Sequence, residues 1–191
     1  MQKKQNIIRA AIHLFAAQGF DGTTTLQIAH EAQVTEPLIY YHFKGKDDLF
    51  TCIIESAFSE YFSALDELPR DTATRFEKLE NLLNLHFQII AERPDETFLI
   101  TSTCPAKLND ADHICAGNMI RQKKMVEDYV SEALAEGIAS GEFEKIPVAE
   151  TTVLVIAMIN GLVRLRDLPA KELPGVRKTA IGFLRRSLLR S

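Results

Sequence analysis

Between Thr35 and Lys46 the chain reads TEPLIYYHFKGK, a run in which hydroxyl, imidazole and ammonium groups surround the apolar Ile39 and Phe43. These groups do not make a hydrolytic set; they are donors of the kind that hold phosphate oxygens. Tyr40, Tyr41 and His42 would stand on the exposed side of a short helix, with Lys44 and Lys46 just past its end, and phosphate contact is their natural use. At the front of that helix Thr35 serves as its cap, and Glu36, Pro37 and Leu38 would face base edges. Leu38 suits a thymine methyl group. Glu36 is the oddity, since an acidic residue is unwelcome near phosphate. It either accepts from a cytosine amino group or simply favours the helix N-terminus. Thr24 and Thr25, on the preceding segment, add hydroxyl and backbone amide donors for another phosphate. Each residue also has a plainer use: Thr24 and Thr35 cap helices in any helical protein, and Tyr40 can lie half-buried against the first helix.

The elements that must position these groups are helices. Apolar residues recur at helical spacing throughout, with no alternating strand, internal repeat or low-complexity tract, so the expected fold is all-α with about nine helices. Ile7, Ile8, Ala11, Ile12, Leu14 and Phe15 trace one face of a first helix, and Gly19 stands where a left-handed cap is needed. Thr24 with Gln27 forms a capping box that opens a second helix to about Ala32. Thr35, with Pro37 in the first turn, opens a third that ends near His42 or Phe43. Ala29 is small where two helices would cross, Val34 fills the turn, and Ile39 follows Ala29 by ten residues on the inward side. That is the spacing of a helix-turn-helix, whose second helix enters the DNA major groove. A long helix over 46–68 carries Phe50, Ile54, Phe58, Tyr61, Phe62 and Leu65 on one face and would join head to body as a lever. Further helices are expected over 74–93, 95–103, 113–139, 148–166 and 174–189, punctuated by Pro94, Gly141, Pro147, Pro169 and Pro174. The expected division is a DNA-binding domain over 1–46 and an effector-binding and dimerisation domain over 47–191.

The ordered pattern Leu14, Phe15, Ala16, Gly19, Phe20, then Thr23, Thr24, Ile28, Ala29, Ala32, Val34, then Ile39, Tyr40, His42, Phe43 and Lys46 resembles the TetR family of bacterial transcriptional regulators. The resemblance covers roughly the first 50 residues; the remainder agrees only in helix count and character. It implies a helix-turn-helix head on a larger helical body, a homodimer on a palindromic double-stranded DNA operator, and a small-molecule effector. It also implies that Tyr40, His42 and Lys46 contact the DNA backbone. One position departs from the pattern: the turn holds Gln33 where glycine is common, at a strain of about 1 kcal/mol.

Charge and composition bound the function. The 191 residues carry 22 basic and 26 acidic side chains, a net charge of −4, which excludes a protein that coats nucleic acid indiscriminately. Residues 1–50 are neutral, with Lys3, Lys4, Arg9, Lys44 and Lys46 against Asp21, Glu31, Glu36, Asp47 and Asp48, so nonspecific affinity would be modest and strongly salt-dependent. The longest apolar run, 153–159, is far too short to cross a membrane. The N-terminal segment mixes Gln5, Asn6, Arg9 and His13 with its apolar residues and reads as structure in a cytoplasmic protein. Cys52, Cys104 and Cys115 are odd in number without CxxC spacing, so reduced thiols are expected. Asp112, His113 and Cys115, with Cys104 nearby, hint at a metal or thiol sensor but lack a recognised ligand spacing, and no metal or cofactor is expected. No Ser-His-Asp order or phosphate loop nominates a catalytic residue, so the protein is not expected to be an enzyme.

Two further sets of residues concern the body. His86 lies on the apolar face of its helix and is either a hydrogen-bonded core histidine or a ligand contact. With Phe62, Phe87, Phe98, Met119 and Met158 it makes the candidate effector pocket, although aromatics and thioethers also fill cores. Val153, Ala157, Asn160, Gly161 and Arg164 form one stripe whose small residues permit close helix approach. Ala180, Phe183, Leu184 and Leu188 supply a matching one, giving a four-helix dimer interface. The function these features indicate is a ligand-responsive homodimeric regulator, a repressor released by a hydrophobic or amphipathic molecule. The alternative is an all-α small-molecule-binding protein or enzyme with a non-functional DNA-binding head.

Overall fold

The computed structural model describes residues 2–101, 105, 108, 114–163, 169 and 171–190. Among these residues there are nine helices and no strand: α1 (Gln2–Gln18), α2 (Thr25–Glu31), α3 (Glu36–His42), α4 (Lys46–Asp66), α5 (Arg75–Glu92), α6 (Pro94–Thr101), α7 (Ile114–Ala139), α8 (Val148–Val163) and α9 (Leu173–Leu188). The all-α expectation holds, with helix ends within a few residues of those read from the pattern. The chain forms two compact units, Met1–Tyr61 with Asp95–Met119, and Phe62–Pro94 with Ile120–Ser191. This division differs from one at residue 46.

The first unit takes in most of α4 because of its rings. Phe15, Phe20 and Phe50 form a cluster with centroids 5.1 to 5.6 Å apart, so α4 closes the core that α1 begins. Ile7, Ala11, Ile28, Ile39 and Leu49 complete that core and are fully buried, each large aliphatic side chain contributing about 1.5–3 kcal/mol of burial. Gly19 takes the left-handed conformation expected of it, with φ +79°, and its N–H donates to the Phe15 carbonyl. Gln33 is the one non-glycine described residue with positive φ, +54°, so the helix-turn-helix turn carries the strain its sequence implies.

In the second unit α5 packs against both α8 and α9. Its start is capped twice: Thr74 accepts from the Glu77 N–H at 3.1 Å, and the Glu142 carboxylate accepts from the N–H groups of Arg75 and Phe76 at 2.7 and 2.9 Å. Anionic oxygens at a helix N-terminus are favourable because the first amides have no partner inside the helix. Lys78 is buried, with its ammonium 3.1 Å from Glu132, 3.8 Å from Glu136 and over the ring of Tyr129. The Tyr129 hydroxyl donates to the Lys78 carbonyl, and burial pushes its pKa up to about 12 against the opposing pull of Arg70.

His86 is also buried, and its Nδ1 lies 2.8 Å from the Leu82 carbonyl, so Nδ1 carries the proton and donates it. Of the two readings of this residue, the hydrogen-bonded core histidine describes its surroundings. Burial holds its pKa below the usual histidine value. The folded form therefore resists a proton that the unfolded chain accepts, and stability falls as pH drops below the unfolded value of about 6.5. Melting temperatures measured from pH 7.5 to 5 should decline, and His86→Leu should flatten that decline; an identical slope in the variant would show that other groups carry it.

Three expectations meet residues of different standing. Arg164, and Cys104, Asp112 and His113 of the suspected sensor, lie outside the described residues. Cys115 is buried and disulfide-bonded, which corrects the expectation of three reduced thiols, while Cys52 is free. Pairing depends on which β-carbons the fold brings within reach, a distance that spacing along the chain does not encode. Among the described residues no group of three or more His, Cys, Asp or Glu side chains is placed to hold a metal ion. None of their helices is long and apolar enough to cross a membrane.

Candidate nucleic-acid interface

The residues singled out between Thr24 and Lys46 all fall in the first unit, on α2, α3, the start of α4 and the residues that flank them. Thr24 caps α2 in a complete capping box, its hydroxyl accepting from the Gln27 N–H while the Gln27 side chain accepts from the Thr24 N–H at 2.8 Å. Gln18 of α1 donates to the Gln27 side chain and to the Gly22 carbonyl, fixing where α2 begins. The Thr25 hydroxyl donates to Glu36 Oε1 at 2.6 Å and lies 3.3 Å from the Tyr40 hydroxyl. This explains the acidic residue on α3. Glu36 has a partner on α2, so it ties the two helices of the motif together as well as lying near the α3 N-terminus.

Around that tie the donors are uncovered. Tyr40 and Tyr41 are 55% and 80% exposed. Thr35 is exposed at the N-cap of α3 and makes no side-chain capping bond, so its hydroxyl is available to another acceptor. The Lys44 backbone N–H donates to Asp48, yet its ammonium makes no ion pair with any described residue. Pro37 is exposed, and Leu38 and His42 are half-buried, the His42 ring resting edge-on against Tyr41 and Phe43.

Lys46 stands apart from these. Its ammonium donates to the carbonyls of Phe20 and Thr23 at 2.7 and 2.9 Å and sits 4.3 Å from the Phe20 ring centroid. Two of its three donors are thus engaged in fastening the α1–α2 loop to the start of α4. Sequence reasoning overlooked Lys4, whose ammonium lies 5.3 Å from the centroid of Phe43, beside the α3–α4 junction. It also overlooked Leu26, 65% exposed next to Thr25 on α2. Helical phase alone could have found Leu26, but Lys4 is 39 residues from Phe43 and only the fold joins them.

Two family models match this chain: bacterial regulatory proteins, tetR family, over residues 7–52, and Tetracyclin repressor-like, C-terminal domain, over residues 72–164. The chain belongs to the TetR family. A TetR-family protein is a DNA-binding transcriptional regulator and not an enzyme. The fatty acid metabolism regulator protein of Bacillus subtilis (strain 168) is 26% identical over 148 residues, spanning 75% of this chain and 72% of that one. The chain spans about half the length of several other curated relatives it matches. Among solved structures, the ketosteroid transcriptional regulator KstR2 of Mycobacterium tuberculosis superposes with a TM-score of 0.84 at 18% identity, covering 100% of this chain and 96% of that one. AibR in complex with isovaleryl coenzyme A and operator DNA gives a TM-score of 0.74 at 17% identity, covering 96% and 97%. At such identities the structural likeness establishes the fold.

The remaining candidate residues of this TetR-family chain lie on several helices of both units. On α8, Val153, Ala157, Asn160 and Gly161 are all exposed, and so is Leu154, at 69%. On α9 only Phe183 of the expected stripe is exposed, at 58%; Ala180, Leu184 and Leu188 are buried within this chain. With Leu173 they form the buried stripe of a helix that packs on α5. A 3.6-residue period places 180, 184 and 188 on one side and 183 on another, so these three residues fill the chain's own core. The six pocket candidates do not share one described cavity. Phe98 and Met119 belong to the first unit, and Phe62, His86, Phe87 and Met158 to the second. Phe87 lines a cavity of about 540 Å³ between α5 and α9, and Met158 lines a groove of about 680 Å³ between α8 and α9 with Val176, Thr179 and Phe183. Phe62 is buried under the Arg121 guanidinium, 4.3 Å from its ring centroid.

Proposed function

We propose that this regulator binds a palindromic operator as a homodimer and represses transcription until a hydrophobic or amphipathic small molecule releases it. The observation that carries the DNA-binding part is the set of exposed donors in and beside α3, Thr35, Tyr40, Tyr41 and the Lys44 ammonium, around a helix that Glu36 and Thr25 lock to α2. Support for the dimer comes from the apolar side chains that α8 and α9 leave uncovered in one chain, Val153, Leu154 and Phe183. A second copy of the chain doubles the number of base pairs read, with half-sites about 34–36 Å apart or a multiple of that. Support for the effector class comes from two relatives of the same fold, AibR with isovaleryl coenzyme A and FadR from Bacillus subtilis with stearoyl-CoA. Release requires that the effector bind the two arrangements of the dimer unequally, by about 1–3 kcal/mol.

The test is a gel shift on DNA upstream of the protein's own gene at two salt concentrations. Lys44→Ala should weaken binding evenly across sequences and lower the salt slope by about one. Lys46→Ala should weaken it as well, and should also lower the melting temperature, because the carbonyls of Phe20 and Thr23 lose the ammonium that ties them to α4. A Lys44→Ala protein with unchanged affinity and slope would remove the assignment. A head that does not bind DNA predicts no salt-dependent shift on any sequence.

A further inference from the structure

The cavity between α5 and α9 has a wall of two kinds. Phe87, Ala91, Leu173 and Pro174 make it apolar, while Asn84, Gln88 and Arg177 place polar groups on its rim. The polar groups differ in what they already hold. The Gln88 amide donates to Glu92 at 3.0 Å and is occupied. Arg177 is exposed at the rim and makes no ion pair or hydrogen bond with any described residue, and it follows the buried Leu173 by one turn of α9. Asn84 has no partner for its amide among the described residues, and its Oδ1 is closed off from solvent with no hydrogen bond. What this wall offers a ligand is donors: the Asn84 Nδ2 group and the Arg177 guanidinium, neither of which is engaged by any described residue. The volume of about 540 Å³ lies within the range of small-molecule sites.

We infer that this cavity is the binding site of a small amphipathic anion, whose carboxylate or phosphate head sets on Arg177 beside Asn84 and whose apolar body lies against Phe87, Leu173 and Pro174. A guanidinium forms paired hydrogen bonds to either head group, and the positive N-terminal end of α9 at the same wall favours the negative charge. The inference rests on the reading of the protein as effector-responsive and gives that effector a place and a charge.

The test uses the full-length protein and a diazirine-bearing decanoic acid as photoprobe, with labelled peptides located by mass spectrometry. Label is expected on the peptides that contain residues 84–91 and 173–177. Decanoate and decyl phosphate compete in separate arms, and whichever displaces the probe at lower concentration identifies the head group. Decanol, with the same chain and no charge, should compete at least about tenfold more weakly, since charge-assisted hydrogen bonds are lost. Arg177→Gln should weaken decanoate by about tenfold with an unchanged melting temperature, because Arg177 holds none of the described residues, and Asn84→Gln should weaken it to a lesser degree. Labelling elsewhere, no labelling, equal competition by decanol, or undiminished affinity in Arg177→Gln would each overturn the site. Operator release is read separately by gel shift. Binding here without release leaves the site standing and removes the switch, whereas release with the label elsewhere does the reverse.

Discussion

Replacing Leu154 and Phe183 together by glutamate should turn the protein into a monomer and weaken its hold on operator DNA by at least about a hundredfold, the size of effect that losing a second linked binding event produces. The two side chains are 69% and 58% exposed, so the substitutions remove little packing within one chain. They would instead place two charges per subunit in an apolar contact, where an unpaired carboxylate is not tolerated. Gly161→Leu is the matching steric test, because a Cβ there meets nothing within 4 Å in its own chain and would be felt only by a partner helix. Sedimentation analysis at low micromolar concentration gives the assembly state, and gel shifts give the affinity. A dimer that persists with both glutamates in place would move the interface away from α8 and α9.

The second large effect is on stability and comes from Gly137. A Cβ at this position of α7 would lie 2.2 to 2.8 Å from three ring atoms of Phe143, which is itself buried. The ring cannot turn aside cheaply, because the Phe143 N–H donates to the Gly137 carbonyl at 3.0 Å and its neighbours are held on both sides. Glu142 caps the start of α5, and the Glu144 N–H donates to the Leu188 carbonyl at the end of α9. Displacing Phe143 therefore disturbs α5, α7 and α9 at once. Gly137→Ala should cost about 3 kcal/mol, the upper part of the range for overpacking, and lower the melting temperature by about 6–12 °C for a chain of this length. Phe143→Leu in the Gly137→Ala background should recover part of the loss by making room. A Gly137→Ala protein that melts within about 2 °C of the parent would show that the turn relaxes freely.

The sequence by itself determined the helices and the DNA-binding motif, because both are written in local signals. A capping box at Thr24 and Gln27, a glycine at position 19, Pro37 in the first turn of α3 and apolar residues three and four apart each act over a few residues, so their effects survive whatever the rest of the chain does. Tertiary structure decided the partners. That Lys46 grips the carbonyls of the α1–α2 loop, that Glu36 answers Thr25, and that Lys4 comes beside Phe43 all depend on helices brought together across ten to forty residues. The same holds in the body, where Ala180, Leu184 and Leu188 look like an interface stripe and are buried on the side of α9 that packs on α5. An amphipathic helix specifies that one face must be covered, since apolar surface is driven from water without regard to what replaces it. Which surface covers it, the chain's own or a partner's, is settled only when all the helices compete for the same core.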